Sequence, residues 1–338
     1  MKNTSIVFTE PYKIVVQEDE ANVKPGDGEI LVKKLYSLIS TGTELACLSG
    51  KEGWFKMPAA AGYSCVSEVC ASNAVNAVYK EGDIIFHYGT HSLYQIINEK
   101  DFIFPVDTKD NLHLVPVLRM ATVASTAIRI SDIELGDYVA VSGLGLVGNM
   151  ASQLAELSGA CVIGVDPSEM RRNKAKDCGV SYVVSPENQS EYIRKITGGS
   201  GVHTVIEATG IPQVGADMLG VIGYHGEIIF LGTPRGKTMG DLADVFCYSH
   251  VDGKGSITFK GAHEWRYPIE KDKFVKHSIT RNTEICLDLF KKNKLKIDGL
   301  VSHIIKPQEA PAVYKALNEN RNDFMGVIFD WNDFRKGI

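Results

Sequence analysis

The sequence predicts an α/β protein with two domains, a β-barrel followed by a doubly wound parallel sheet. Three observations support this fold class. The chain has 338 residues, which is too long for one comfortable core. Residues 4–40 alternate apolar and polar side chains, as antiparallel strands do. Beyond residue 137, apolar strands alternate with helical patterns, which is typical of a parallel sheet.

The first domain, residues 1–121, is predicted to be mostly strand. A turn at Pro25–Gly28 separates two strands, and a short helix follows a polar, small-residue segment. Two later segments alternate again and extend the barrel, and helical spacing at 111–131 leads into the second domain. The predicted elements are strands at 12–18, 29–38, 59–69 and within 84–97, and a helix at 45–49.

A glycine-rich turn organises the second domain, residues 122–262. An apolar strand beginning at Asp137 ends in Gly-Leu-Gly-Leu-Val-Gly, and a helical pattern follows. The spacing G-x-G-x-x-G provides a tight turn and lets the backbone approach a pyrophosphate, which the free N–H groups of the helix then face. The same glycines also occur in methyltransferases and in turns without a ligand. The predicted phosphate-site residues are Gly143, Gly145, Leu146, Val147 and Gly148.

An acidic residue strengthens the dinucleotide interpretation. A second apolar strand ends in Asp166, about twenty residues beyond the glycines, where a carboxylate can accept both ribose hydroxyls. This position favours NAD over NADP, although Asp166 can also be a turn residue at a strand end. Arg171 and Arg172 can reach a 2′-phosphate, but Asp166 would repel it, so we place them beside the adenine or in solvent.

Further strands complete a six-stranded Rossmann sheet. Residues 263–338 are too few to stand alone, and we expect them to rejoin the first domain. The predicted strands after Asp166 lie at 182–185, 203–207, 226–232 and 256–261, with helices at 168–178, 192–197 and 214–222, and the remainder has helices near 279–292 and 307–318 and strands near 301–305 and 325–330.

Composition excludes several classes of protein. A hydrophobic content of 44%, a charged content of 23% and a net charge of -5 give no electrostatic basis for binding nucleic acid or an anionic membrane. The N-terminus lacks the apolar core of a signal peptide, so we expect a cytoplasmic location. The seven cysteines are scattered, without the paired spacing of a zinc ribbon, which favours reduced thiols.

The order of these segments resembles the medium-chain dehydrogenase/reductases. The residues that carry the resemblance are the glycine turn, Gly164–Asp166, Val205–Gly210 and Gly226–Gly232. It implies a GroES-like catalytic domain, a Rossmann domain that binds a nicotinamide cofactor, an active site in the cleft between them, and a homo-oligomer. Family positions along the cofactor match Thr126, Thr209, Gly210, Gly232 and Thr233.

The chain departs from this family at the catalytic zinc ligands. Ser40 or Thr41 stands at the family's cysteine, Tyr63 at its histidine and Arg119 at its third ligand. Two hydroxyls, a phenol and a guanidinium do not make a zinc site. The cysteine-rich lobe that holds a structural zinc in the family is also missing, so we expect no metal.

Within the family, Ser-Thr-Gly-Thr-Glu44 and the region around His263–Pro268 resemble the branch of sugar 3-dehydrogenases and bacteriochlorophyllide dehydrogenases. This resemblance implies NAD-dependent hydride transfer to or from a secondary alcohol of a polyhydroxylated substrate, a sugar or cyclitol. A zinc-free quinone or alkene reductase and a non-catalytic NAD(H)-binding sensor are the alternatives.

Without zinc, a proton acceptor and a cation must stabilise the reacting oxygen. We predict Tyr63, Thr43 and Arg119 for this role, with the guanidinium lowering the pKa of the phenol, and His87 as a second candidate base. Tyr63 can also be a volume filler, Thr43 a helix cap, the histidines structural and Trp265 an interface residue. The predicted substrate-binding residues are Ser40, Thr41, Tyr88, His91 and Trp265.

Overall fold

The computed structural model describes residues 1–20, 24–75, 78–107 and 110–332. The chain divides into two compact units. Unit 1 comprises Met1–Arg119 together with the described residues from Val301 onward, and unit 2 comprises Met120–Leu300. Within the described ranges, no helix combines the length and apolar character needed to cross a bilayer. Both helices and sheets are present, which confirms the α/β class.

The first part of unit 1 consists of strands and one short helix, as predicted. The predicted strand at 59–69 is interrupted, because Gly62 has a φ of +93° and its backbone lies against the ring of His91. This break leaves Tyr63 outside the strands. The elements are β1 (Lys2–Glu10), β2 (Lys13–Glu20), β3 (Glu29–Leu38), α1 (Thr41–Leu48), β4 (Ala59–Ala60), β5 (Cys65–Ser72), β6 (Ile84–His87), β7 (Tyr94–Asn98) and β8 (Ile103–Pro105).

Unit 2 alternates strands and helices. The first helix, α2 (Leu118–Ile130), begins just before the unit boundary. The helix α7 was not predicted, and its exposed Leu242 and Phe246 explain why its residues give no amphipathic signal. The remaining elements are β9 (Tyr138–Ser142), α3 (Leu146–Leu157), β10 (Cys161–Val165), α4 (Glu169–Asp177), β11 (Tyr182–Val184), α5 (Gln189–Ile196), β12 (Val202–Glu207), α6 (Pro212–Met218), β13 (Ile222–Phe230), α7 (Leu242–His250), β14 (Thr258–Gly261) and α8 (Ile279–Lys291).

The six described strands of unit 2 form one parallel sheet in the order β11-β10-β9-β12-β13-β14. The chain reverses its direction of strand addition between β9 and β12. In sheets of this kind a dinucleotide binds at the carboxyl ends of the strands, across that point of reversal. The predicted Rossmann sheet is therefore confirmed.

The chain then returns to unit 1 through β15 (Val301–Ile305), α9 (Ala310–Glu319) and β16 (Gly326–Asp330). The described strands of unit 1 form two sheets, one ordered β2-β1-β4 and one ordered β15-β16-β3-β5-β6-β8, with β7 also paired to β3. Trp331, at the end of β16, is fully buried and donates to Ser37 Oγ over 2.9 Å. The late strands thus complete the sheet that β3 begins.

The point of return differs from the predicted one. We expected residues 263–338 to rejoin the first domain, but the return occurs at Val301. The reason is that α8 packs on α2. Thr283 and Thr122 share a hydrogen bond of 3.1 Å, and Arg129 Nε donates to Asn282 Oδ1 over 3.2 Å.

Candidate active site and cofactor site

The turn between β9 and α3 in unit 2 is built for a close approach of backbone atoms. Gly143 has a φ of +90°, and a Cβ on Gly148 would lie 1.7 Å from the carbonyl oxygen of Gly143. A Cβ on Gly145 would have no protein atom within 4 Å, so this glycine borders open space. Leu146 and Val147 form the first turn of α3, whose free N–H groups suit an anionic group.

Asp166 lies directly after β10 and is 2% exposed. Its Oδ2 accepts from the Leu144 N–H over 2.8 Å, and its Oδ1 accepts from the Ser168 N–H over 2.8 Å. The carboxylate is thereby fixed against the glycine turn, where it retains lone pairs for ribose hydroxyls. Arg171 Nη1 lies 3.8 Å from Asp166 Oδ2, so the guanidinium faces this carboxylate.

Two further loops follow β12 and β13 at the same edge of the sheet. A Cβ on Gly232 would lie 2.4 Å from Gly210 N, and a Cβ on Gly143 would lie 2.8 Å from Thr209 Cγ2. A Cβ on Gly210 would lie 2.4 Å from the carbonyl oxygen of Thr233. The structure therefore brings these predicted cofactor residues together with the phosphate turn.

Thr126 is the predicted cofactor residue that stands apart from these loops in the chain. It lies on α2 and is 1% exposed. Its hydroxyl has no hydrogen-bond partner among the described residues.

In unit 1, Tyr63 contacts Ser40, a predicted substrate-binding residue, and Arg119, a predicted catalytic residue. Its hydroxyl shares a short hydrogen bond with Ser40 Oγ, and the Arg119 guanidinium lies 5.2 Å from the centre of its ring. Burial raises the pKa of the Tyr63 phenol, while Arg119 and hydrogen bonds with Ser40 and Thr43 oppose this rise only in part. Arg119 thus lowers the pKa of the phenol as predicted, but desolvation outweighs this contribution and the net pKa is raised.

Arg119 is held by aromatic rings. It is 5% exposed, and its guanidinium carbon lies 3.2 Å from the centre of the Tyr88 ring. The Tyr88 ring in turn stacks on Phe102 with the ring centres 4.3 Å apart. A guanidinium stacked in this way is fixed in position while it keeps its charge. Tyr88 thus orients Arg119 beside Tyr63.

A buried carboxylate supports this cluster. Glu44 is 2% exposed, and its Oε1 accepts from the Ser40 N–H over 2.7 Å. Its Oε2 accepts from the Tyr314 hydroxyl and lies 3.1 Å from His91 Nε2. Glu44 therefore fixes Ser40, which binds Tyr63. Tyr314 gave no signal in the sequence, because it lies far along the chain, on α9.

His91 was predicted to bind substrate, and the structure corrects this. The side chain is fully buried, and its Nδ1 bonds to Ser37 Oγ over 2.8 Å while Nε2 faces Glu44. Both ring nitrogens are thus engaged inside unit 1.

His87, the second candidate base, is corrected in the same way. It is 1% exposed, and its Nε2 lies 2.8 Å from Ser67 Oγ and 3.5 Å from Lys34 Nζ. Burial, and next the charge of Lys34, hold the pKa of His87 well below its usual value. The imidazole is therefore neutral at physiological pH. Lys34 itself is fully buried, and sequence analysis missed it.

The two remaining predicted substrate residues lie at the surface of their units. Thr41 is half-buried at the first position of α1. Trp265 belongs to unit 2 and is 54% exposed.

The side chains at the family's zinc positions do not fit a zinc ion. They offer a hydroxyl from Ser40 or Thr41, the Tyr63 phenol and the cation Arg119, whereas zinc binds thiolate, imidazole and carboxylate. Over the ranges that the structure covers, no group of three or more histidine, cysteine or acidic side chains could hold a metal ion. We therefore derive no chemical step through zinc.

Part of the chain is similar to known dehydrogenases. The family described as zinc-binding dehydrogenase matches residues 147–271. An uncharacterized zinc-type alcohol dehydrogenase-like protein from Haemophilus influenzae is 25% identical over 64% of this chain and 59% of its own length. D-guloside 3-dehydrogenase from Shigella flexneri is 26% identical over 77% of this chain and 74% of its own. The match to the first relative thus spans less than two thirds of that protein.

A solved structure shares the fold. A putative zinc-binding dehydrogenase from Sinorhizobium meliloti bound to NADP has a TM-score of 0.80 and 20% identity, covering 98% of this chain and 99% of the other. Unit 1, with its two described sheets, is interrupted in sequence by the parallel sheet of unit 2, which carries a glycine-rich turn at the point of strand reversal. This arrangement is typical of folds that bind dinucleotides. The matched family model and the sequence relatives make the chain similar to the medium-chain dehydrogenase/reductase superfamily.

Proposed function

We propose that this protein is an NAD-dependent dehydrogenase that interconverts a secondary alcohol and a ketone on a polyhydroxylated substrate, without catalytic zinc. The observation that carries the proposal is the contact of the Tyr63 phenol with Ser40 Oγ beside the stacked Arg119 guanidinium. These groups supply a proton and a positive charge where the family uses a metal.

The cofactor assignment rests on Asp166. Its buried carboxylate is fixed against the glycine turn, so a 2′-phosphate at the ribose would meet a negative charge. Gly143, Gly145 and the first turn of α3 would hold the pyrophosphate, and the nicotinamide, when bound, supplies or accepts the hydride. The Sinorhizobium protein was solved with NADP, which makes the choice of cofactor a direct test.

The protonation state of the Tyr63 phenol defines its role in the reaction. Because burial raises its pKa, the phenol is protonated at neutral pH and can act as a general acid. In ketone reduction, it donates its proton to the carbonyl oxygen as the hydride adds to the carbonyl carbon. Arg119 stabilises the negative charge that develops on that oxygen. The phenolate then recovers a proton through the hydroxyl of Ser40, which is bonded to it.

The substrate class is supported by the chemistry of unit 1 and by one relative. Hydroxyl groups of Ser40, Thr41 and Thr43 lie within four residues of each other at the start of α1, and such groups exchange hydrogen bonds with sugar hydroxyls. The Shigella relative is named for a sugar derivative, D-guloside. We therefore favour a sugar or cyclitol.

Metal analysis of the purified protein, combined with calorimetric titration by NADH and NADPH, tests the proposal. Metal-free protein that binds NADH more tightly justifies a screen of sugars and cyclitols with NAD. Stoichiometric zinc would overturn the zinc-free mechanism, and tighter binding of NADPH would favour a quinone or alkene reductase. NADH binding without turnover of any alcohol or ketone would favour a sensor.

A further inference from the structure

The carboxylate of Glu207 closes the turn that follows β12. The side chain is 1% exposed. Its Oε1 accepts from the Thr209 N–H over 2.7 Å, from the Thr209 hydroxyl and from the Gly210 N–H over 3.2 Å, and its Oε2 accepts from the same Gly210 N–H over 3.1 Å. One buried side chain therefore satisfies three donors of this turn.

This turn lies in contact with two other loops at the same edge of the sheet. A Cβ built on Gly143 would contact the Thr209 side chain, and a Cβ built on Gly232 would contact the backbone of Gly210. The carbonyl oxygen of Gly210 also accepts from the Arg235 N–H over 2.9 Å. The shape of the turn is therefore coupled to the phosphate turn on one side and to the loop after β13 on the other.

The strand order shows which half of a dinucleotide this turn serves. Asp166, at the end of β10, lies on one side of the reversal between β9 and β12. Glu207 ends β12, on the other side. A dinucleotide placed across the reversal has its adenosine half beside Asp166 and its second nucleoside beside β12 and β13.

We propose that Glu207 is a positioning residue for the nicotinamide half of the cofactor. Its carboxylate holds the Thr209–Gly210 turn in the shape that this half requires, while the adenosine half binds independently of it. The inference rests on the proposed function, because it needs a dinucleotide ligand. Glu207 itself contacts the turn rather than the reacting atoms.

A substitution that changes the charge of Glu207 and its number of hydrogen-bond acceptors tests this role. In Glu207→Gln, an amide NH₂ replaces one acceptor oxygen and meets an N–H donor of the turn. We expect the Kd for NADH to rise at least about tenfold, while the Kd for ADP, which lacks both the nicotinamide and its ribose, changes less than about twofold. Both constants are measured by calorimetry with the full chain.

Glu227→Gln is the matched control. Glu227 is also a buried carboxylate on this sheet, 2% exposed, but it accepts from Thr204 Oγ1 and the Asp132 N–H rather than from a glycine loop. We expect this variant to bind NADH and ADP like the wild type. If Glu207→Gln does not fold, Thr209→Val removes one donor of the turn without burying a new polar group, and we expect about a threefold rise in the Kd for NADH alone.

The outcomes separate this inference from the proposed function. Wild-type protein that binds neither NADH nor ADP would contradict the cofactor assignment itself. If the wild type binds both, unchanged NADH affinity in Glu207→Gln would overturn the role of Glu207. An equal loss of both ligands would overturn its restriction to the nicotinamide half.

Discussion

Two regions of the molecule depend on opposite properties of their side chains. The cofactor edge comprises the loops that follow β9, β12 and β13 in unit 2, and the phenol cluster comprises Tyr63, Ser40 and Arg119 in unit 1. The cofactor edge depends on side-chain atoms that are missing, since a Cβ on Gly148 or Gly232 would overlap backbone atoms. The phenol cluster depends on side chains that are present, with Tyr63, Ser40 and Arg119 held by Glu44 and Tyr88. A local glycine pattern can be read from a sequence, whereas a cluster gathered from distant segments cannot.

The largest effect is expected from a substitution that disrupts the cofactor edge. Gly148→Ala places a Cβ 1.7 Å from a carbonyl oxygen of the backbone, which no rotamer change can relieve. We expect the Kd for NADH to rise by at least about 100-fold and the free energy of unfolding to fall by about 3 kcal/mol. Calorimetry and urea denaturation measure the two quantities.

Gly145→Ala is the control for that variant, because its Cβ has no protein neighbour within 4 Å. We expect its stability to stay near that of the wild type while NADH binding weakens, since this face is the one left open for the ligand. Equal stability of the two variants would show that the edge does not depend on close backbone packing.

The second effect tests the phenol cluster. Tyr63→Phe keeps the ring beside Arg119 but removes the proton donor, so we expect kcat for ketone reduction to fall by about 100-fold. The Kd for NADH should not change. Tyr88→Phe keeps the ring that stacks on Arg119, and we expect its kcat to stay within about threefold of the wild type. Full turnover by Tyr63→Phe would show that Tyr63 serves in packing and does not donate the proton.

A third, smaller effect concerns cofactor choice. Asp166→Asn removes the negative charge but keeps an oxygen that can accept from the Leu144 N–H. We expect the ratio of NADH to NADPH affinity to fall by about tenfold, which corresponds to about 1.4 kcal/mol. Paired titrations measure this ratio. An unchanged ratio would mean that some other group selects the cofactor.

The smallest effect is on stability and arises from the buried Lys34. Burial lowers the pKa of its ammonium group, so the unfolded chain binds this proton more readily than the folded chain below the usual pKa of 10.5. The free energy of unfolding therefore rises with pH on approach to that value. We expect Lys34→Met to stabilise the protein by about 1 kcal/mol at pH 7.

Lys34→Met should also flatten the pH dependence of stability between neutral pH and pH 9.5, as measured by urea denaturation. Ser67→Ala, which removes the hydroxyl beside His87 but keeps the lysine, is the control and should retain the slope. A variant of Lys34 that is less stable at every pH would show that its amine is favourably bonded in the folded state.

These contrasts show what the sequence could and could not predict. The strands of unit 2, the glycine turn and the position of Asp166 followed from spacing along neighbouring elements. The helix-like pattern of α8 was found, but its packing on α2 was not, because a helical pattern does not reveal which unit it joins. The catalytic roles of Tyr63 and Thr43 stay predictions.

In unit 1, only the structure shows which candidate residues contact Arg119 and which are buried elsewhere. His87 and Tyr88 are neighbours on the chain, yet one side chain points to Ser67 and Lys34 and the other stacks on Arg119. Consecutive residues of an extended segment point to opposite sides, which explains this difference. The composition of the chain, however, gave no reason to place the Lys34 side chain in the interior. Propensity rules treat a lysine as a surface residue, and tertiary packing overrode that expectation.

The late strand β16 has a consequence for biosynthesis. Unit 2 is continuous in sequence, so all of its strands have been translated once residue 300 has left the ribosome. Unit 1 waits for β16 to pair with β3 and for Trp331 to reach Ser37. Because domains generally fold as units during synthesis, unit 2 can form while unit 1 is still incomplete.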